Sequence, residues 1–506
     1  MLLKKTLLGG VALSCLLGLA IPANAQSAAV TNQIQTLQDQ VRALNQQLQN
    51  LQSQVTQTVQ SQAQATAKIN TVAASSNGIV ASMPNNRPTL STADGQNSIA
   101  LTGRMHFDMG AYPNYSPNRP NVAPANLNSG VDLRRGRIGV LGKIAGDWNF
   151  GLVYDFGGSN DAGPATGGTG GITSGGIETA ELTYNGFRPF AFEFGYEDVP
   201  YTLDEATSSN DIMFTERASS QVIAANLAAG DFRSNIGGHW NNDRAWVGIY
   251  ATGPTSGNSH AGLGQQFGAV GRATYQVLQS DAYSLHVGVD VEGLMKPQSF
   301  AGTRQITTFS DRPEDRIDTT QILNAGTIGT AANPVSGANV AGFELAGGLG
   351  SLFGQAEYFH YTVNRTNAST LSFNGGYAQA SYTLTGEHRK YIPGTGAYSG
   401  ISPDHPFSLK DGTWGAWEVA ARYSIMDLNS NLTPGVSTAS TNGVAGGQQQ
   451  VATLGVNWYV NNNIRFLFDY LHGFVDKKSG AAATAPLGAG IGGRFDSVEA
   501  RAQVAF

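Results

Sequence analysis

Charge is what this chain lacks most. Asp, Glu, Lys and Arg make up 13% of its 506 residues, about half the ~25% usual for soluble domains, so an ordinary hydrated surface is excluded. A long apolar run is missing too. Hydrophobic residues reach 41% and mean hydropathy is −0.18, which excludes a helical bundle built from spans of about 20 apolar residues. Cysteine occurs once, at Cys15, so a disulfide framework is excluded. Lysine is scarce, 9 residues against 21 arginines, and the net charge is −6, which gives no support to nucleic-acid binding. Glycine, by contrast, is abundant at 64 residues without a collagen period, and aromatics reach 9%. Low charge, abundant glycine and ordinary aromatics fit a transmembrane β-barrel, whose alternating strands average out in hydropathy.

The first 25 residues read as a secretory signal. Lys4 and Lys5 precede an apolar run from Leu7 to Ile21, and Ala23-Asn24-Ala25 forms an A-x-A cleavage site. Cleavage would remove Cys15 and deepen the negative charge. A lipoprotein anchor at Cys15 is the alternative, with a shorter apolar region before it.

Residues 26–73 then carry a heptad seam. Ile34, Leu37, Val41, Leu44, Leu48, Leu51 and Val55 follow spacings of 3 and 4, the a/d pattern of a coiled coil. The register continues through Thr58, Gln62, Ala65, Ile69 and Val72. A lone amphipathic helix would need a wider stripe. The residues at a and d lean towards two strands in isolation. Residues 74–96, rich in Ser, Asn, Gly and Pro, read as a linker.

From 97 to 506 the period becomes two. Ile99, Leu101, Met105, Phe107 and Met109 alternate with Ala100, Thr102, Arg104, His106 and Asp108. The same alternation recurs along 148–156, 283–291, 417–425, 452–460 and 464–470, and the chain ends Val498, Ala500, Ala502, Val504, Phe506 opposite Glu499, Arg501 and Gln503. A soluble sandwich also alternates. The export signal, the aromatics near strand ends and the terminal phenylalanine favour an all-β, antiparallel transmembrane barrel. About sixteen strands fit the length, with fourteen or eighteen as alternatives, and a barrel of that size holds a water-filled lumen.

Residues two apart share a face of a strand. Arg135 and Arg137 therefore point together, opposite Ile138 and Val140, and the same rule sends Arg104, Arg272, Arg422, Arg465 and Arg501 to the lumen. Guanidinium suits oxyanions because its planar fork can donate two parallel hydrogen bonds. The competing reading pairs these arginines with lumen acids such as Asp108, Asp155, Glu418, Asp469 and Glu499, bracing the wall. No HExxH or Walker motif occurs, and the 8 histidines are dispersed. No enzyme, cofactor or metal is expected.

Several stretches carry a family resemblance: Gly103-Arg104, Arg134-Arg135-Gly136-Arg137-Ile138-Gly139, Phe214-Thr215-Glu216-Arg217, Gly376–Tyr382 running on to Thr385-Gly386-Glu387, Gly415–Tyr423, Leu454–Tyr459 and Phe495–Gln503. They resemble the phosphate-selective porins of Gram-negative outer membranes. The resemblance implies a homotrimer of sixteen-stranded barrels in outer-membrane lipid, each with an arginine-lined channel for small anions, phosphate or polyphosphate among them. It also implies an inward third loop, placed here between Tyr201 and Ser234, with Arg217 on it and Arg233 near its exit. One departure is the lysine cluster of the type members, which is not evident in this chain. A general small-solute porin is therefore the alternative, and a tether acting through a periplasmic coiled coil is a second.

Overall fold

The computed structural model describes residues 78–117, 127–157, 176–230, 232–254, 264–280, 283–432, 442–477 and 492–506, together with residues 35, 38–47 and 49. Contacts divide the chain into two units at Gly78. In the first unit residues 38–47 are helical, and Asp39 and Arg42 pair at 3.4 Å on its exposed surface. The expected signal (1–25) and most of the expected coil (26–73) lie outside the described residues.

The second unit is a closed antiparallel barrel of sixteen strands. The first eight are β1 (Ser98–Pro117), β2 (Gly130–Ile144), β3 (Trp148–Asp155), β4 (Gly176–Tyr184), β5 (Phe190–Glu197), β6 (Arg233–Asn241), β7 (Ala245–Thr252) and β8 (Phe267–Gln279). The other eight are β9 (Tyr283–Lys296), β10 (Val335–Leu349), β11 (Leu352–Arg365), β12 (Ala368–Thr383), β13 (Ala416–Ser430), β14 (Val444–Tyr459), β15 (Ile464–Asp476) and β16 (Gly493–Ala505). Each pairs with its neighbour, and β16 returns to β1 from Gly493↔Pro117 to Ala505↔Arg104. Closure removes the sheet edges, so backbone groups are satisfied within the wall. Gly103 and Phe506 exchange both backbone hydrogen bonds at 3.0 Å, and a Cβ at Gly103 would lie 2.5 Å from the Phe506 ring.

The outer face follows the alternation. Met105, Phe107, Met109, Ile138, Leu152, Val289, Val419, Leu454 and Phe468 are exposed, as lipid-facing positions should be. Aromatics gather at the end that carries both termini, where Trp148 meets Tyr184 with ring centroids 4.6 Å apart and Trp417 stacks on Trp458.

Residues 79–92, read from the sequence as linker, instead form a hairpin (Ile79–Ser82 and Thr89–Thr92) whose second strand pairs with Ser98–Ala100. The Pro-Asn-rich stretch is its turn.

Three segments fold into the lumen: 198–232 between β5 and β6, 297–334 between β9 and β10, and 384–415 between β12 and β13. Because strands alternate in direction, the third enters from the end carrying the termini, where other connections are short. Residues 198–232 contain α1 (Leu203–Ala206) and α2 (Ser219–Ala228), the latter buried along its whole length. On one side α2 packs on an apolar cluster including Phe309, Phe359, Tyr361, Leu371 and Phe373.

Candidate functional site

The segment 198–232 is held by its main chain. Wall carboxylates accept its N–H groups: Asp290 from Thr202 at 3.1 Å, Glu357 from Leu203 at 2.7 Å, Asp469 from Thr215 at 2.7 Å. Glu314, on the second inward segment, accepts from Ser219 at 2.9 Å, at the first turn of α2, where an anion suits the helix dipole. Wall cations donate to its carbonyls: Arg422 to Glu216 at 2.7 Å, and Arg465 to Asn210 at 3.0 Å and Ile212 at 2.8 Å. Asp290, Glu344 and Glu357 lie close enough to share an ion. Two of them are loop anchors, and Glu344 is taken by Arg272.

Glu216 is the hub. Its carboxylate accepts from Arg134 (Nε 2.6 Å, Nη2 3.0 Å) and from Arg501 Nη2 at 3.0 Å, with Arg316 3.8 Å and Arg135 4.0 Å away. Burial alone would raise this carboxyl, but Arg134, Arg316 and Arg135 hold it well below the usual carboxylate range. Arg134 reaches the hub through a β-bulge: Arg135 pairs with His106 and Leu133 with Phe107, leaving Arg134 as the extra residue. Strict alternation sends Arg134 to the lipid face, so sequence parity missed it. Glu216 lay within a recognised motif, but its role as hub had no local signal.

Eight of the nine arginines singled out in the sequence fall into two groups. Five have carboxylate neighbours. Arg137 donates to Asp155 at 2.9 Å and to Glu178, and its guanidinium carbon lies over the Phe232 ring, 5.0 Å from the centroid. Arg272 forms a two-pronged pair with Glu344 (2.6 and 3.0 Å) and also binds the carbonyls of Thr395 and Gly396. Arg422 pairs with Glu314 at 2.9 Å, and Arg217 lies 3.4 Å from Glu205 while binding the carbonyls of Asp204 and Thr207. Arg135 donates at 3.5 Å to the His106 ring beside its distant Glu216 contact.

Arg104, Arg233 and Arg465 touch neutral acceptors only. Arg104 binds the hydroxyls of Ser208 and Ser209, Arg233 the Asn226 carbonyl at 2.8 Å, and Arg465 the two loop carbonyls named above. Asp211 is near Arg104 and Arg465, and burial raises its carboxyl against the pull of Arg389, Arg465 and Arg104. Arg501, also on the lumen face, is committed to Asp108 at 2.6 Å through both prongs.

A small void of about 10 Å³, roughly one water, lies between Arg134, Glu205, Glu216, Arg217, Gln221 and Asn226. Separate cavities of about 350 Å³ beside Arg104, Arg137, Glu178 and Asn210 and about 440 Å³ beside Gln276, His388, Arg389 and Lys390 lie at the end carrying the termini.

Residues 99–506 match the family described as phosphate-selective porin O and P. Porin O of Pseudomonas aeruginosa is 26% identical over 407 residues, covering 77% of this chain and 85% of that protein. Among solved structures, the trimer form of OmpT from Vibrio cholerae covers 81% of this chain and 99% of its own (TM-score 0.46, 10% identity). An anion-selective porin from Comamonas acidovorans covers 81% and 100% (TM-score 0.46, 14% identity).

Proposed function

This chain belongs to the phosphate-selective porin O and P family, and from that premise we propose that it is a passive outer-membrane channel whose permeant class is small anions. The observation that carries this reading is the set Arg104, Arg233 and Arg465, whose guanidinium groups bind only neutral oxygens. Unlike the braced arginines, they keep positive charge for a passing anion. Several weak sites in series conduct better than one tight site, because the ion must leave again.

Phosphate or polyphosphate is the finer reading, supported by the family and by the match of guanidinium to a tetrahedral oxyanion. General passage of small solutes is the competing reading, favoured by the number of arginines engaged by carboxylates. Reversal potential across a planar bilayer under a salt gradient, with phosphate titrated against the chloride current, separates them. Anion preference with phosphate block is expected; anion preference without block supports general passage, and cation preference at neutral pH overturns both. Assembly as a homotrimer, with residues 26–73 as a parallel coil, is the matching proposal. Native mass in detergent tests it, and a monomer or dimer would overturn it.

A further inference from the structure

The N-terminal hairpin does more than extend the sheet. Its second strand lies on β1, and Leu101 donates to the Pro88 carbonyl at 2.9 Å. At the tip, Asn86 Nδ2 donates to Asn463 Oδ1 at 2.6 Å, in the turn joining β14 to β15. Asn463 in turn binds the Ala505 carbonyl at 2.7 Å. The hairpin tip thus bridges the end of β16 and is fixed at both flanks of the barrel seam.

This bridge puts Arg87 into the wall of the 350 Å³ cavity, beside Arg104 and Arg137 and near Asn210 and Asn463. Arg137 is engaged by Asp155 and Glu178, so the cavity's one side-chain carboxylate, Glu178, already has a cation. Arg104 holds two serine hydroxyls. The buried Nε of Arg87 has no acceptor, and no carboxylate is paired with it among the described residues. Two guanidinium groups that no carboxylate pairs with directly therefore share one polar cavity, with amide side chains beside them and Glu178 and Phe506 also in its lining.

We propose that the hairpin completes a binding site for a small oxyanion at the terminal-end mouth of the channel, with Arg87 and Arg104 as its cations. The site rests on the anion-channel reading and adds to it a residue from outside the barrel. It is weak and salt-sensitive, since a part-exposed guanidinium is screened, which suits the last stop on a conduction path.

The test uses the full chain in planar bilayers, carrying chloride current, with inorganic phosphate added to one compartment at a time. In the unmodified protein phosphate blocks from the hairpin side. Arg87→Gln should raise the half-blocking concentration from that side roughly threefold, the scale of a part-exposed charge contact, and leave the opposite side unchanged. Arg87→Lys should recover part of the loss. Arg87→Cys, in a chain whose one other cysteine is Cys15, should lose block and regain it when a membrane-impermeant cationic thiol reagent is added from the hairpin side, which also reports orientation. An anion-selective protein that shows no block from the hairpin side, or equal block with and without Arg87, overturns the site and spares the channel reading. Cation preference in the unmodified protein overturns both.

Discussion

The two sides of the lumen obey one alternation rule and end in opposite chemistry. On the side of β1, β2 and β16 the inward residues are His106, Asp108, Arg135, Arg137, Glu499 and Arg501, buried and polar. On the side of β11 and β12 they include Phe359, Tyr361, Val363, Leu371 and Phe373, equally buried and apolar. The difference follows from what covers each wall. Helix α2 and Phe309 seal the apolar side as a packed core, whereas the hub carboxylate of Glu216 binds the charged side directly through Arg134 and Arg501. A porin wall can thus be part core and part channel, and loop stability and ion selectivity become separable.

The largest expected break in that separation is on the apolar side. Phe373→Ala should cost about 3–5 kcal/mol, the usual range for a buried phenylalanine, seen as a lower unfolding midpoint in detergent. The reversal potential should stay where it was; a changed selectivity would mean the two sides are coupled. Glu216→Gln tests the charged side. Breaking a buried ion pair costs about 3–5 kcal/mol when a charge is left behind, spread here over four arginines that surround the hub. We expect stronger anion preference and tighter phosphate block, with some loss of thermal stability. An unchanged reversal potential would show that Glu216 only braces the wall. Replacing Arg135 and Arg137 together by Ala should weaken anion selectivity while the heat-resistant barrel band persists on a gel, since lumen changes are tolerated. Loss of that band would assign them to bracing.

The smallest effect concerns pH. Burial pushes Asp315, on the second inward segment, up to about 6, against its hydrogen bond from Tyr112. A carboxyl raised above its ordinary value favours the folded loop fully below that ordinary value and loses the contribution as pH rises through about 6. Asp315→Asn should flatten the stability profile between about pH 4 and 6; a profile that keeps its slope would place the titration elsewhere.

Much of this molecule was determined by its sequence alone. Period-two alternation dictated which residues of β1, β13, β15 and β16 meet lipid, because a pleated strand offers only two faces. Length set a count of about sixteen strands, and parity sent Arg135, Arg137, Arg272 and Arg465 to the inner face. The tertiary structure decided the partners. Asp108 and Arg501 are 393 residues apart in sequence, and only barrel closure brings them to 2.6 Å. The bulge that turns Arg134 inward breaks the alternation by one residue, which no periodic pattern records. The inward course of 297–334 and 384–415 and the hairpin at 79–92 rest on contacts distant in sequence, so polar loop composition carried no sign of them. Whether an arginine braces the wall or stays open to an anion depends on which carboxylate arrives beside it. That is a property of the closed fold, since a guanidinium is cationic in either setting and its neighbours alone decide what that charge can bind.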